Sequence, residues 1–346
     1  MSMLEKIRDM AEHIEKTGIL PQNLLQLAFD EKLFKLFMPI ELGGRMLELP
    51  KAIRIFQEVS SVDGSFGWLV TIGSGGNMFV PNIDPQHGLE LFSPAEAVIA
   101  GSGYPSGKAY KNSDGYRVTG EWKYCSGASY ATIFTMNSIV IEDGKTTDEV
   151  ISLIMVPKQV QVIEDWDAFG LRGTGSHTIK VEDEFVPFTR TFSISKQKNN
   201  LGGLVHTFPF VQFSQSSFTA VCLGIGQNFL QEARKIADQK KENGMENYGT
   251  LSILIEKQVR QFKDAEQQFH TLLDKLWKVH VKEIELLDTD LERFTQVCKD
   301  SVETTFNCAN SLARYLGMDM VRESTTLNRI WRDLYTAGQH VFLTPK

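Results

Sequence analysis

The sequence predicts an α+β protein with three parts: an N-terminal all-α domain, a middle β-barrel or β-sandwich domain, and a C-terminal four-helix bundle. Two changes in the hydrophobic pattern indicate this layout. Apolar residues recur at helical spacing in 1–94, short runs rich in Val, Ile, Thr and aromatic residues fill 95–195, and long helical periodicity returns in 196–346. These changes set the predicted domain boundaries.

Turn residues separate the elements inside each part. In the first part, the string PIELGG at 39–44 interrupts the helical periodicity with one proline and two glycines. In the second part, the Asp-Gly dipeptides at 114–115 and 143–144 predict tight turns between neighbouring strands. In the third part, apolar stripes predict long amphipathic helices over Gly249–His280 and Thr289–Leu316.

The composition excludes several classes of protein. The chain has 346 residues, 42% hydrophobic and 23% charged, which is typical of an ordered globular protein. A net charge of −7 and the lack of a basic run argue against nucleic acid as a partner. The charged N-terminal segment and the lack of an apolar stretch of about 20 residues predict a cytoplasmic chain that does not cross a membrane. The cysteines form no C-x-x-C pair, so no metal site is predicted.

A glycine-rich string, GSGYPSGKA at 101–109, follows a predicted strand. The string is predicted to be a loop. Because glycine has no Cβ, such a loop lets backbone N–H groups approach a flat ring or a phosphate closely. Ser102 and Gly103 are therefore candidate cofactor-binding residues. A flexible hairpin loop without any binding role would have the same composition.

Three further strings carry the most specific information. They are GEWKYCSG at 120–127, FGLRGTGSH at 169–177 and LNRIWRDLYTAGQH at 327–340. In this order and at these distances they resemble the acyl-CoA dehydrogenase superfamily. More narrowly, they resemble its flavin-dependent monooxygenase branch, which hydroxylates aromatic rings with reduced flavin brought by a separate reductase. The resemblance covers essentially the whole chain and implies the same order of domains that the hydrophobic pattern predicts.

The resemblance implies a flavin site on the middle domain. Ser126 would be a donor near the flavin N5 atom, and Tyr124 would line the face of the ring. Thr174 and Ser176 supply two hydroxyls on a compact loop near the flavin. A site of this kind must exclude water, because a hydroperoxyflavin survives only in a dry pocket. The candidate cofactor-binding set is completed by Trp122 and Cys125.

The last string places further candidates near the C-terminus. Helical projection puts Asp333 and His340 on one polar face, and the resemblance implies that His340 points at the flavin and the substrate. An imidazole poised near neutral pH could take a phenolic proton, so His340 joins Ser126 as a candidate catalytic residue. Asp333 and Arg172 are candidate substrate-binding residues, although Arg172 could equally brace its loop. A solvated polar face would give the same helical pattern.

Two departures from the superfamily keep other functions open. Residues 324–346 contain one acidic residue, Asp333, whereas an acyl-CoA dehydrogenase needs a carboxylate base. The segment that would grip the pyrophosphate of FAD is replaced by QKKENGMENYG at 239–249, so both FAD and FMN remain candidate cofactors. The alternatives are an acyl-CoA dehydrogenase with an unrecognised base and a flavin-free scaffold of the same fold.

The resemblance also implies partners. The substrate would be a small aromatic or related organic molecule, and a separate flavin reductase would supply the reduced cofactor. In the superfamily the C-terminal bundles pack against one another, and one subunit closes the flavin site of its neighbour. We therefore expect a homotetramer, in which the exposed apolar stripes of the long helices would be buried.

Overall fold

The three parts predicted from the hydrophobic pattern are present in the structure. The structure, a computed structural model, describes residues 1–244 and 248–344. Helices come first, a mixed β-sheet follows, and a helical bundle completes the described chain, so the predicted fold class is confirmed. Part of the 239–249 segment, on which the choice between FAD and FMN depends, lies outside the described residues.

The N-terminal helices begin at side chains that suit helix starts. Their bounds are α1 Met3–Thr17, α2 Gln22–Asp30, α3 Leu49–Ser60, α4 Gly64–Gly75 and α5 Pro85–Phe92. A capping box starts α1, in which the side chains of Ser2 and Glu5 each accept the other residue's backbone N–H. The Asp63 carboxylate starts α4 by accepting the backbone N–H of Phe66 at 2.8 Å. This cap fixes the start of the helix that later contributes to the candidate site.

The middle part is one seven-stranded mixed sheet. Its strands are β1 Ile99–Lys111, β2 Gly115–Cys125, β3 Ile133–Glu142, β4 Lys145–Met155, β5 Gln161–Ile163, β6 His177–Pro187 and β7 Thr191–Phe192. They lie in the order β5-β6-β2-β1-β3-β4-β7, with β1 and β3 parallel and the other neighbours antiparallel. Asp143 and Gly144 join β3 to β4 with φ of 50° and 74°, which confirms the predicted tight turn.

The glycine-rich string at 101–109 is part of β1, so the prediction of a loop is wrong. Its pairing with β3 is irregular in the middle of the string. A Cβ on Gly101 would lie 2.1 Å from the Thr135 carbonyl oxygen, and one on Gly107 would lie 2.0 Å from the Trp122 ring. Close packing within the sheet therefore requires these glycines, whether or not a ligand approaches them.

The C-terminal part is a bundle around one central helix. Its bounds are α6 Phe210–Glu242, α7 Tyr248–His280, α8 Asp288–Leu316 and α9 Thr326–Ala337. The two long helices predicted from apolar stripes correspond to α7 and α8. The bundle and the N-terminal helices share one hydrophobic core, whereas the sheet has a core of its own. No helix in the described part of the chain is both long and apolar enough to cross a bilayer.

Candidate active site

A continuous chain of hydrogen bonds runs through the junction between the sheet and the helices. The indole Nε1–H of Trp68 donates to Ser126 Oγ at 3.0 Å. Ser126 Oγ lies 2.7 Å from Ser176 Oγ, which lies 2.7 Å from Thr174 Oγ1. The Thr174 hydroxyl donates to the Leu171 carbonyl oxygen at 2.8 Å. We call Ser126, Ser176 and Thr174 the hydroxyl chain, and all three are buried.

Left-handed backbone conformations place these hydroxyls. Tyr124, near the end of β2, has φ of 66°, and the pairing of β2 with β6 slips at this point. A non-glycine residue in this region costs free energy, so the surrounding structure must hold it there. Leu171 and Gly175, with φ of 52° and 47°, flank the turn that carries Thr174. The Gly127 backbone N–H donates to the Thr174 carbonyl at 2.9 Å and joins the strand end to the loop.

Four rings pack together beside the hydroxyl chain. The His340 imidazole stacks on Phe218 with ring centres 3.7 Å apart. Trp68 lies 5.1 Å from Phe218 and 5.9 Å from His340, measured between ring centres. Phe342 lies 5.4 Å from His340. We call these four residues the ring cluster, and Trp68 belongs to it while also donating to the hydroxyl chain.

His340 differs from its sequence prediction in two respects. It lies in a turn beyond the end of α9 at Ala337, so the helical projection that placed it beside Asp333 is wrong. Burial lowers the pKa of His340 to about 4, so the expectation of an imidazole poised near neutral pH is also wrong. The Phe342 backbone N–H donates to Nδ1 at 3.4 Å, which assigns the ring hydrogen to Nε2. His340 is therefore a neutral N–H donor.

The loop that carries Thr174 and Ser176 is held from behind by α9. Arg332 donates to the carbonyl oxygen of Phe169, and Asp333 accepts the backbone N–H of Leu171 at 2.6 Å. Between these contacts, a Cβ on Gly170 would lie 2.1 Å from the Arg332 carbonyl oxygen, so glycine permits the close approach. We call these contacts the α9 clamp. The clamp fixes 169–171, directly before the turn that carries Thr174.

Ionisable side chains of the α9 clamp are buried. Arg332 forms an ion pair with Glu15 at 2.6 Å, and the two side chains are 9% and 13% exposed. Asp333 is 2% exposed and does not lie on a solvated face. Burial, followed by the neighbouring Asp63 carboxylate, raises the pKa of Asp333 to about 8. Burial also raises the pKa of Asp63. The Asp333 carboxyl therefore carries a proton at neutral pH.

Other predicted residues of the 120–127 string point in different directions. Trp122 is fully buried, and its indole donates to the Asn137 carbonyl at 2.7 Å. Cys125 is also fully buried, and burial raises the pKa of its thiol to about 12. Both side chains belong to the sheet core and do not face the hydroxyl chain. Tyr124, in contrast, is 70% exposed, so its ring is accessible to a ligand.

The remaining predicted residues lie on other surfaces. Arg172 is exposed on the turn before Thr174 and forms no ion pair among residues 1–244 and 248–344. Ser102 and Gly103 lie on β1, where the Asn137 side-chain amide donates to the Gly103 carbonyl at 2.8 Å. The structure does not bring these three residues into contact with the hydroxyl chain.

Sequence reasoning misses three members of the ring cluster, Trp68, Phe218 and Phe342. Trp68 follows Gly67 in α4, and a Cβ on Gly67 would lie 2.0 Å from Ser60 Oγ of α3. A tryptophan beside a glycine that allows close helix packing is a signal that could have singled it out. Phe218 stands among many apolar residues of α6, and no pattern distinguishes it from the core.

Comparison with known proteins identifies the family. Two family models match: acyl-CoA dehydrogenase N-terminal domain over residues 3–83 and C-terminal domain over residues 216–345, together more than half of the chain. A pigment production hydroxylase from Rhodococcus sp. (strain ATCC 21145) is 29% identical over 332 residues, 91% of this chain and 84% of that protein. HsaA, the oxygenase subunit of a flavin-dependent monooxygenase from Rhodococcus jostii (strain RHA1), is 30% identical over 200 residues, 57% and 52% of the two chains.

Solved structures share the fold along nearly the whole chain. A 3-HSA hydroxylase from Rhodococcus sp. RHA1 has a TM-score of 0.91 and 21% identity, covering 99% of this chain and 92% of that one. XiaF from Streptomyces sp., in complex with FADH2 and glycerol, has a TM-score of 0.88 and 21% identity, covering 99% and 91%. The chain thus has the acyl-CoA dehydrogenase fold.

With these matches, the chain belongs to the acyl-CoA dehydrogenase superfamily, in the branch of its flavin-dependent monooxygenases. The family and the enzyme class predicted from the sequence, a flavin-dependent oxidoreductase, are confirmed. The roles of the individual site residues are predictions.

Proposed function

We propose that the chain is the oxygenase component of a two-component monooxygenase that hydroxylates a small aromatic substrate with reduced flavin and molecular oxygen. The names of its relatives support this function, since they include a hydroxylase and the oxygenase subunit of a flavin-dependent monooxygenase. The complex of XiaF with FADH2 supports a reduced flavin as the cofactor. Bound flavin would supply the activation of oxygen.

The observation that carries the proposal is the neutrality of the candidate site. The hydroxyl chain and the ring cluster are built from hydroxyl, indole, phenyl and imidazole groups. Burial alone lowers the pKa of His340, with no contribution from any acid. A neutral site suits oxygen chemistry on a flavin, because stray proton donors divert it.

The same geometry disfavours the dehydrogenase alternative. Removal of an α-proton from an acyl-CoA needs a carboxylate base that faces the substrate. The one acidic residue in 324–346, Asp333, is buried behind the loop and accepts the Leu171 backbone N–H. A protonated carboxyl held in this way cannot serve as that base.

Each accessible group has a place in this function. The exposed ring of Tyr124 offers a flat surface to the flavin, and the hydroxyl chain offers Ser126 to a polar edge of the ring system. The Nε2–H of His340 can donate a hydrogen bond to an oxygen atom of the substrate or of the reacting oxygen. These neutral groups fit a flavin ring and leave the choice between FAD and FMN to experiment.

The partners follow from the same proposal. A separate flavin reductase would supply reduced flavin, because HsaA is described as an oxygenase subunit. A homotetramer in which one subunit closes its neighbour's site remains our expectation. Light scattering at micromolar concentration would test the assembly, and a monomer would contradict it.

The decisive experiment measures hydroxylation by the protein loaded with reduced flavin. We expect hydroxylated product when protein with photoreduced FMN or FAD meets oxygen and a panel of small phenols and indoles. His340→Phe keeps the stacking on Phe218 and removes the N–H donor, so it should lower the hydroxylation rate roughly 10²-fold or more. His270→Phe is the matched control, since His270 is half-buried, with its pKa lowered to about 4, but lies on α7.

Two results would overturn the proposal. Rapid reduction of the oxidised, flavin-loaded protein by an acyl-CoA thioester, unchanged in His340→Phe, would identify a dehydrogenase. Failure of both oxidised and reduced FMN and FAD to bind would leave the flavin-free scaffold.

A further inference from the structure

The hydroxyl chain lies between a group that can only donate and a group that can only accept. At one end the Trp68 indole Nε1–H has no lone pair to offer, so it donates to Ser126. At the other end the Leu171 carbonyl oxygen has no hydrogen, so it accepts from Thr174. The directions of the two end bonds are therefore fixed by the chemistry of the groups.

The fixed ends determine the direction of the bonds between the hydroxyls. Each hydroxyl has one hydrogen, and the Thr174 hydrogen is already directed at Leu171. Ser176 must then donate to Thr174 across their 2.7 Å contact, and Ser126 must donate to Ser176 across theirs. All four bonds, from the indole to the carbonyl, are satisfied only in this one direction.

This order decides what Ser126 can offer to a ligand. Its hydrogen is used by Ser176, one lone pair accepts the Trp68 N–H, and the second lone pair remains. Ser126 keeps 5% of its surface exposed, so part of this residue is within reach of a bound molecule. In this order Ser126 donates to Ser176 and offers a ligand an acceptor, in place of the donor that the sequence predicts.

We propose that the hydroxyl chain makes the site selective for reduced flavin, because Ser126 presents a lone pair that matches N–H at the flavin N5 position. This inference rests on the proposed function. Reduced flavin has a hydrogen on N5, whereas oxidised flavin has a lone pair there. Two facing lone pairs repel each other, so the oxidised form meets a mismatched group. Ser176 and Thr174 are thus positioning residues that act through Ser126.

Reversal of the chain would allow Ser126 to donate, but at the loss of one bond. Thr174 would then donate to Ser176, and its lone pair would face the Leu171 carbonyl oxygen at the present distance of 2.8 Å. Loss of one buried hydrogen bond corresponds to roughly a tenfold change in an equilibrium constant. We therefore expect the hydroxyl chain to weaken the binding of oxidised flavin by about this factor relative to the binding of reduced flavin.

Two substitutions release the fixed direction. Thr174→Val removes the link to the Leu171 carbonyl, so Ser176 can donate to Ser126 and free the Ser126 hydrogen. Ser176→Ala removes the acceptor of that hydrogen directly. In both variants the ratio of the dissociation constants, oxidised over reduced, should fall roughly tenfold. The midpoint potential of bound flavin should fall by about 30 mV as a consequence, because the reduced form loses part of its preference.

Thr191→Val is the matched control. Thr191 is buried in the same sheet domain, and its hydroxyl donates to the Phe188 carbonyl at 2.8 Å, three residues back, as Thr174 does to Leu171. It lies outside the hydroxyl chain, so its substitution should leave the ratio unchanged. Titrations of each protein with FMN and with FAD, oxidised and anaerobically reduced, give both dissociation constants.

The outcomes separate this inference from the proposed function. A lower ratio in Thr174→Val and Ser176→Ala, with the ratio of Thr191→Val equal to that of the unsubstituted chain, supports the inference. Equal weakening of both redox states in either variant, with the ratio preserved, overturns it while the proposed function stands. Failure of the unsubstituted chain to bind either flavin in either state overturns both.

Discussion

The two sides of the 169–177 loop differ in chemistry. On one side, the hydroxyls of Thr174 and Ser176 lie in the neutral hydroxyl chain with Ser126, beside the ring cluster that holds the neutral imidazole of His340. The side that meets α9 has ionisable groups, with the Arg332–Glu15 pair and the carboxyl of Asp333. The loop therefore separates the charges that hold it in place from the face that would bind a ligand. The contacts with α9 hold the loop in place, and the opposite face of the same segment contributes neutral hydroxyls to the candidate site.

The largest stability effect should come from the charged side. Arg332→Ala leaves Glu15 buried without its partner and removes hydrogen bonds to Phe169 and Asn328. Breaking a buried pair in this way costs about 3–5 kcal/mol in the free energy of unfolding, because an uncompensated charge stays in the interior. Urea denaturation measures this loss.

A surface pair in the same chain is the control for that prediction. Arg54 and Asp274 pair at 2.8 Å, but their side chains are 47% and 37% exposed. Arg54→Ala should cost about 1 kcal/mol or less, since solvent screens exposed pairs. Equal losses for Arg54→Ala and Arg332→Ala would show that the α9 clamp does not hold the loop as described.

The next effect concerns the pH dependence of stability. The pKa of Asp333 is raised from 3.8 to about 8 in the folded chain, so between these values the folded state holds a proton that the unfolded state has lost. Its contribution to stability is present at low pH and is lost as the pH rises through about 8. Asp333→Asn imitates the protonated form, so it should flatten this decline. Thermal unfolding between pH 5 and 9 (roughly this window) is the measurement.

An unchanged pH profile in Asp333→Asn would contradict the assignment of a protonated Asp333.

His340, on the neutral side of the loop, is expected to make stability change with pH in the opposite direction. The pKa of His340 is lowered from 6.5 to about 4, so the unfolded chain binds the extra proton between these values. Stability from His340 is therefore present above pH 6.5 (about the unfolded value) and is lost as the pH falls through about 4.

The smallest effect on stability should come from His340→Phe near neutral pH. Phenylalanine keeps the ring stacked on Phe218, and neither side chain is charged there, so the free energy of unfolding should change by about 1 kcal/mol or less. Below pH 6.5 (about the ordinary value) the variant should be the more stable protein, since it lacks a buried group to protonate. A loss of several kcal/mol at pH 7 (roughly neutral) would show that His340 has a structural role the stacking does not explain.

The order of the three parts could be predicted because each part has a different hydrophobic period. The helices α7 and α8 follow directly from apolar stripes, and the tight turn at 143–144 follows from its Asp-Gly dipeptide. The composition of the glycine-rich string at 101–109 predicts a loop, because composition alone cannot distinguish a flexible loop from a strand that packs closely. Close contacts across a sheet are visible only after the strands pair.

The candidate site could be predicted in part. The local strings indicated Ser126, Thr174 and Ser176, which the fold brings into contact although Ser126 and Ser176 lie 50 residues apart. Trp68 and Phe218 lie outside these strings, because they come from other helices and meet the site only through packing. The glycine before Trp68 is a local signal for it, whereas Phe218 has none. The predicted position of His340 is wrong because the helical projection continues past Ala337, where α9 ends.

The burial of Cys125 bears on the chemical durability of the protein. Cys125 directly precedes Ser126, and its thiol donates to the Trp122 carbonyl. Burial raises the pKa of that thiol to about 12. The deprotonated thiolate is the form that oxidants attack, so a protonated and inaccessible sulfur is inert. The other three cysteines are buried in the same way. Reduced flavin in air produces peroxide, and this chain would therefore work beside its own oxidant without losing its thiols.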